Sequence, residues 1–166
     1  MSSRVIGRAA FLSGKHVQDF PIYGAERRGA PVSDYVRVDD ERILERGYIE
    51  EPDAVIVLDD TLLELIDVKS GLKETGFCLF NSQKSFEGQR TFSIDATETV
   101  LEETGKPIAN IALLGAFAKL QEVFSLEMVL EAAKLELREH GVSDEVIEAN
   151  LKAAVKCFEK TVVENV

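Results

Sequence analysis

Apolar positions recur along this chain at helical spacing, at strand spacing and in short unbroken runs. Val5, Ile6, Ala9 and Ala10 fall three and four apart within residues 3–13, which predicts a short amphipathic helix ended by Gly14. His16 to Phe20 reads as a short strand. Residues 20–32, FPIYGAERRGAPV, hold two prolines beside glycines and charges and read as a loop. A strand comes next at Asp34 to Val38, where Tyr35 and Arg37 sit two apart as on a half-buried strand. Ala54 to Leu58 is a continuous apolar run between Pro52-Asp53 and Asp59-Asp60. Such a run predicts burial on both faces, as in a parallel sheet covered by helices. Thr61 stands three residues before Glu64, the spacing of a capping box that opens a short helix. Phe77 to Phe80 and Thr91 to Ile94 are two further short apolar strands. Asp95 is positioned to cap the next helix, with Glu98 at its third position.

The last third is helical in pattern. Ile108 to Leu120 is rich in alanine and carries Gly115, which suits close approach of two backbones. Leu126, Val129, Leu130, Ala133 and Leu137 form a second stripe, closed by Gly141. Ser143 is placed to cap a final helix whose expected inner face is Val146, Ile147, Leu151, Val155, Phe158 and Val162. Strands alternating with helices indicate an α/β layer fold. With no internal repeat, low-complexity tract or linker, residues 1–166 are expected to form a single domain.

Composition narrows the class. A chain of 166 residues with 45% apolar and 30% charged side chains needs no disulfide or metal staple to hold a core. No apolar run reaches the ~18 residues of a membrane span, and no leader pattern is visible, so the cytoplasm is the expected location. Cys78 and Cys157 cannot between them complete a structural zinc or iron–sulfur site, and both sit in apolar sequence as core thiols. The net charge of -11 makes nucleic acid a poor partner. It is unevenly spread: residues 1–32 hold five basic groups against two acidic, whereas the remainder holds fourteen against twenty-eight. A small basic region on an acidic body attracts an anionic ligand or an acidic partner patch.

Catalytic motifs are missing from the sequence: there is no GxGxxG, Walker loop, HExxH, CxxC, EF-hand loop or serine-centred elbow. His16 and His140 lack a positioned nucleophile and read as surface imidazoles. Asp39-Asp40-Glu41 and Asp59-Asp60 read as solvated turn residues in preference to metal ligands. The informative stretch is 18–32, QDFPIYGAERRGAPV. Gly24 and Gly29 bracket Glu26, Arg27 and Arg28, and Pro31 stiffens the exit. Paired guanidinium groups suit carboxylate or phosphate, and Phe20 and Tyr23 add flat apolar surface beside them. On residue chemistry alone this loop serves equally as a subunit interface or as a ligand contact.

These residues resemble the gamma subunit, or gamma domain, of the 2-oxoacid:ferredoxin oxidoreductases, closest to the pyruvate and branched-chain members. The resemblance is carried first by Gln18, Phe20, Pro21, Tyr23, Gly24, Glu26, Arg27, Arg28, Gly29, Ala30, Pro31 and Val32. A second block runs from Glu51-Pro52-Asp53 through Ile56-Val57-Leu58-Asp59. A third joins Asp95-Ala96-Thr97-Glu98 to Gly105-Lys106-Pro107-Ile108, Asn110 and Leu114-Gly115-Ala116-Phe117. The resemblance implies a Rossmann-like, doubly wound, mostly parallel sheet with a helical C-terminal third. It also implies a first strand and glycine turn ahead of the first helix, which this chain lacks; that predicts marginal stability for the chain taken alone.

In such enzymes a 2-oxoacid is oxidatively decarboxylated to an acyl-CoA with thiamine diphosphate, and electrons pass to ferredoxin or flavodoxin. The family resemblance places thiamine diphosphate and Mg between alpha and beta subunits and iron–sulfur clusters on a delta subunit. It implies no cofactor bound by this chain alone, no catalytic residue and no metal ligand in it, and alpha, beta and delta subunits as partners. Pyruvate is the first expected substrate and a branched-chain oxoacid the second. The ERRGAPV form differs from 2-oxoglutarate-type members, whose loop resembles a single arginine followed by two glycines. The residues expected near ligand or at a subunit interface are Phe20, Tyr23, Gly24, Glu26, Arg27, Arg28, Gly29, Pro31 and Asn110.

Overall fold

A computed structural model describes residues 1–22, 31–88 and 90–163. Helix α1 (Ser2–Leu12) leads into strands β1 (His16–Ile22) and β2 (Ser33–Asp39). The turn between α1 and β1 at Gly14 requires a left-handed backbone, φ +83°, which glycine adopts at no steric cost. Strands β3 (Ala54–Val57), β4 (Phe77–Asn81) and β5 (Thr91–Ile94) come next, with a 3-10 helix at Asp60–Glu64 after β3. Four helices complete the chain: α2 (Ala96–Thr104), α3 (Asn110–Leu120), α4 (Leu126–Glu139) and α5 (Asp144–Lys160).

β3, β4 and β5 form a parallel sheet in that order, while β1 and β2 form an antiparallel ribbon of their own. No crossover helix separates β1 from β2, so they pair antiparallel and stand apart from the parallel layer. Alternation along β4 builds the two faces of the sheet. Phe77 and Leu79 join the main core with α1 to α5, while Cys78 and Phe80 join a smaller cluster with Val57, Leu62, Leu63, Val68, Leu72 and Phe86. Full burial of one such aromatic or aliphatic side chain contributes roughly 1.5–3 kcal/mol. A parallel layer covered on both faces is the expected doubly wound arrangement.

Helix α3 lies at the centre, buried from Ile111 through Ala118. Its approach to α5 depends on Gly115, where an added Cβ would stand 1.8 Å from the Ala154 carbonyl oxygen. Phe77, Phe117 and Phe124 connect sheet to helices through tilted ring contacts with centroids 5.9 and 6.1 Å apart.

Several local expectations are corrected. The 20–32 segment is not all loop, because β1 continues through Pro21 to Ile22. β3 is a sheet edge, so Ala54, Val55 and Ile56 are only half-buried and Leu58 is exposed; the fully covered strand is central β4. The turn after β3 is capped by Asp59, which accepts hydrogen bonds from the Thr61 amide and hydroxyl at 3.0 and 2.7 Å; Thr61 is not the cap. Ser143 occupies the N-cap position of α5, but its hydroxyl makes no capping bond. Of the expected inner face of α5, Ile147 is buried and Leu151 and Phe158 pack half-buried against the core, whereas Val146 and Val162 are exposed and Asn150, Ala153, Ala154 and Cys157 complete the buried face. Small residues line this face because α3 comes too close at Gly115 for larger ones.

Candidate functional site

The ribbon β1–β2 supports the segment singled out in the sequence. Its register pairs Gln18 with Arg37, Phe20 with Tyr35 and Pro21 with Asp34, which sets Phe20, Tyr35, Gln18 and Arg37 together as cross-strand neighbours. The Phe20 ring stacks on Tyr35 at 5.6 Å, and Tyr48 meets Tyr35 edge-on at 6.1 Å. Arg37 lies 5.4 Å from the Phe20 centroid, where the aromatic face attracts the cation. It donates to the Gln18 side-chain oxygen at 3.2 Å and the Tyr48 carbonyl at 3.0 Å, and pairs with Glu45 at 3.6 Å. A guanidinium held on so many sides fixes the base of the arm. Val32, Leu44 and Tyr48 are exposed.

Two contacts tie the arm to α1. Ser3 Oγ donates to Asp34 Oδ2 at 2.9 Å, and Gly7 brings α1 so close to β1 that a Cβ there would stand 3.1 Å from Val17. Of the expected site residues, the structure places Phe20 at the end of this stack and Pro31, exposed, just before β2. Tyr23, Gly24, Glu26, Arg27, Arg28 and Gly29 lie outside the described residues. Asn110 begins α3, and its Oδ1 accepts from the Ile111 amide at 3.0 Å; among the described residues it shares no hydrogen bond with the arm.

A second polar place lies at the carboxyl edge of the parallel sheet. Asn81 closes β4 there, donating to the Leu58 carbonyl and Thr97 Oγ1 at 3.0 and 2.8 Å. Its Oδ1 accepts from the Ala96 and Thr97 amides at 3.1 and 3.2 Å. One side chain thus joins the ends of β3 and β4 to the first turn of α2. Asp95 caps that helix as expected, accepting from the Glu98 amide at 2.8 Å. The groove beside Asn81, about 390 Å³, is lined also by Asp60, Ser82, Gln83, Lys84, Asp95, Thr97 and Glu98. Three carboxylates against one lysine make it unfavourable for a phosphate.

The sequence reading missed a buried ionic cluster. Glu136 of α4 is 2% exposed, inside the apolar stripe of that helix, and takes Arg8 of α1 at 2.7 Å, with Arg4 at 3.9 Å. Arg8 also grips Glu139 with two parallel hydrogen bonds of 2.9 Å. The Glu139 hydrogen bonds raise the Arg8 guanidinium above its ordinary range, and Arg8 in turn lowers the Glu139 carboxyl. The signal was present as two matched spacings, Arg4 with Arg8 and Glu136 with Glu139, on helices whose contact only the fold reveals.

Elsewhere the histidines and the acidic turn residues stand in structural roles, while Ser2 Oγ is buried without a hydrogen-bond partner. His140 Nδ1 lies 2.8 Å from the Glu136 carbonyl, and His16 is exposed. Asp39 accepts from the Glu41 amide, and Asp60 from Ser82 Oγ at 2.6 Å. Cys78 and Cys157 are buried free thiols, and burial pushes both up, which disfavours the nucleophilic thiolate. Among the described residues no group of three His, Cys, Asp or Glu is arranged to hold a metal ion. No helix among them is long and apolar enough to cross a membrane.

This chain matches the family model for pyruvate ferredoxin/flavodoxin oxidoreductase over residues 1–160. It is 43% identical to the pyruvate/ketoisovalerate oxidoreductases common subunit gamma of Thermococcus litoralis, an alignment covering 98% of this chain and 90% of that one. Among solved structures it is similar to the pyruvate oxidoreductase subunit PORC of Thermotoga maritima, with a TM-score of 0.77 and 34% identity over 95% of this chain and 86% of that one. The keto/oxoacid ferredoxin oxidoreductase gamma subunit of Geobacter sulfurreducens superposes with a TM-score of 0.70 at 28% identity, covering 96% of this chain and 88% of that one. An α/β core matched along nearly its whole length belongs to the pyruvate ferredoxin/flavodoxin oxidoreductase family as one of its gamma subunits.

Proposed function

We propose that this chain serves a multi-subunit, thiamine-diphosphate-dependent pyruvate:ferredoxin oxidoreductase, in which pyruvate and coenzyme A become acetyl-CoA and CO2 while an electron pair passes to ferredoxin or flavodoxin. The observation that carries this is the near full-length similarity to a gamma subunit named for pyruvate and ketoisovalerate enzymes. That double name also supports a branched-chain 2-oxoacid as the second substrate. Alpha, beta and delta subunits are the proposed partners and hold the thiamine diphosphate, Mg and iron–sulfur clusters.

The arm is the proposed working part of this subunit. Arg27 and Arg28, with Tyr23 and Glu26, stand at the junction with the catalytic subunits, and the guanidinium pair meets anionic groups of coenzyme A. Paired arginines suit phosphate oxygens better than the acidic groove at Asn81 does. Replacing both arginines by alanine in the intact complex is expected to raise the apparent coenzyme A KM or lower turnover. Wild-type kinetics in a fully assembled complex would overturn this role. Weakened assembly with unchanged kinetics per complex supports a purely structural scaffold instead. Native mass spectrometry of the tagged chain, purified anaerobically from its own cells, tests the partnership: recovery with three further chains supports it, and recovery alone as a folded chain removes it.

A further inference from the structure

We infer that the groove over residues 63–69 docks an apolar side chain flanked by lysine or arginine on another subunit; the inference rests on the partnership proposed above. The segment that leaves β3 divides its apolar residues between two sides. Leu62, Leu63, Val68 and Leu72 pack into the small cluster with Val57, Cys78 and Phe80. Leu65 and Ile66 do not. They are 65% and 42% exposed and line a shallow concavity of about 440 Å³. Turns hold them there. The Leu65 and Ile66 amides both donate to the Leu62 carbonyl at 3.0 Å, and Asp67 Oδ1 accepts from the Lys69 amide at 3.1 Å. With Leu62 and Leu63 anchored in the cluster, these bonds leave Leu65 and Ile66 outside it. The apolar surface is therefore preformed, and ordering it costs little on association.

The charges along this segment select the partner. Asp59, Asp60, Glu64 and Asp67 fall within nine residues that contain no lysine, arginine or histidine. Among the described residues none of these four carboxylates is ion-paired. Lys69, two residues further on, is committed elsewhere. Its Nζ donates to the Glu87 carbonyl at 3.3 Å and to Thr91 Oγ1 at 3.1 Å, and lies 5.9 Å from the Phe80 centroid. The Thr61 hydroxyl and amide hold the Asp59 carboxyl below its ordinary range, which keeps that charge in place. Apolar side chains among unneutralised carboxylates are complementary to an apolar side chain set between cations. The same carboxylates disfavour the other occupants. A second copy docked through the same groove would bring carboxylate against carboxylate, and an anionic membrane or nucleic acid would be repelled.

The test uses the whole complex, tagged on this chain, and follows by native mass spectrometry how the chain dissociates from the other subunits on dilution in increasing ammonium acetate. Leu65→Ser/Ile66→Ser is expected to raise the dissociation constant about tenfold or more, from the apolar area lost at the contact, with the wild-type salt dependence retained. Asp59→Asn/Glu64→Gln/Asp67→Asn removes three charges and keeps the oxygens that accept from Thr61 and Lys69. It is expected to raise the constant about three- to tenfold at low salt and to flatten its salt dependence. The serine variant changes only exposed side chains and the amide variant preserves the turn hydrogen bonds, so a loss in either reports the contact and not the fold. A wild-type constant in the serine variant would overturn the docking surface. A wild-type salt dependence in the amide variant would overturn the basic character of its occupant. Pairs of this chain that the serine substitutions separate would overturn the inference in favour of self-association. Wild type recovered without other subunits would remove the partnership itself, a result seen before any variant is compared.

Discussion

Glu136 shows how much one buried carboxylate depends on its neighbours. Its side chain is 2% exposed, Oε1 is bound by Arg8 at 2.7 Å, and Oε2 lacks a hydrogen-bond partner. Removing one partner of a buried ion pair is costly when the other charge is stranded. Here Arg8 keeps its two bonds to the exposed Glu139, so stranding is incomplete. Glu136→Ala is therefore expected to destabilise by about 2–3 kcal/mol, from a lost charge-assisted bond and an unfilled space. Glu136→Met keeps the volume, removes the unpartnered oxygen, and is expected to be within about 1 kcal/mol of wild type. Urea unfolding of both variants checks this; an equal loss in each would show that the carboxylate's charge, rather than its volume, holds α1 to α4.

Elements were legible where the cause was local and obscure where it was tertiary. The helices and strands are read from spacing along the chain, and the Asp95 cap from its position three residues before Glu98. Yet Asp95 and Ser143 look alike in sequence, and only the first accepts a capping hydrogen bond. Asp95→Ala is expected to cost about 1 kcal/mol, and Ser143→Ala less than about 0.3 kcal/mol, in equilibrium unfolding. Comparable losses from both substitutions would show that the Ser143 hydroxyl caps α5 in solution. The inner face of α5 is legible only in part for a related reason: Ile147, Leu151 and Phe158 face the core as their spacing predicts, and the valines at its ends do not. Valines looked like its core, but the distance set by Gly115 admits Ala153 and Ala154 and leaves Val146 outside. The same limit applies to the arm. ERRGAPV was conspicuous by composition, whereas Arg37 over Phe20 and Ser3 on Asp34 join residues 17 and 31 positions apart, pairings that exist only once the ribbon is in register.

At the scale of the whole molecule, both faces of the sheet and the α3–α5 contact close over the two thiols, so the fold as a unit holds them neutral. Cys78 belongs to the small cluster on one face and Cys157 to the main core, each fully buried. Desolvation raises both above the ordinary thiol value of 9.0, an effect that the Lys69 charge near Cys78 and the Thr99 hydrogen bond to Cys157 only partly oppose. A raised folded-state value means that the native chain retains protons the unfolded chain releases. The associated stability is complete below the unfolded value and is lost as pH rises from about 9 through the folded values. Chemical denaturation of the wild-type chain is thus expected to show stability falling from about pH 9 upward. Cys78→Ala/Cys157→Ala is expected to begin less stable, because it opens space in both clusters, yet to fall less steeply over the same alkaline range. Parallel slopes in the two proteins would locate the alkaline loss in surface lysines and tyrosines, and would show that the thiols are reached by solvent before the fold opens.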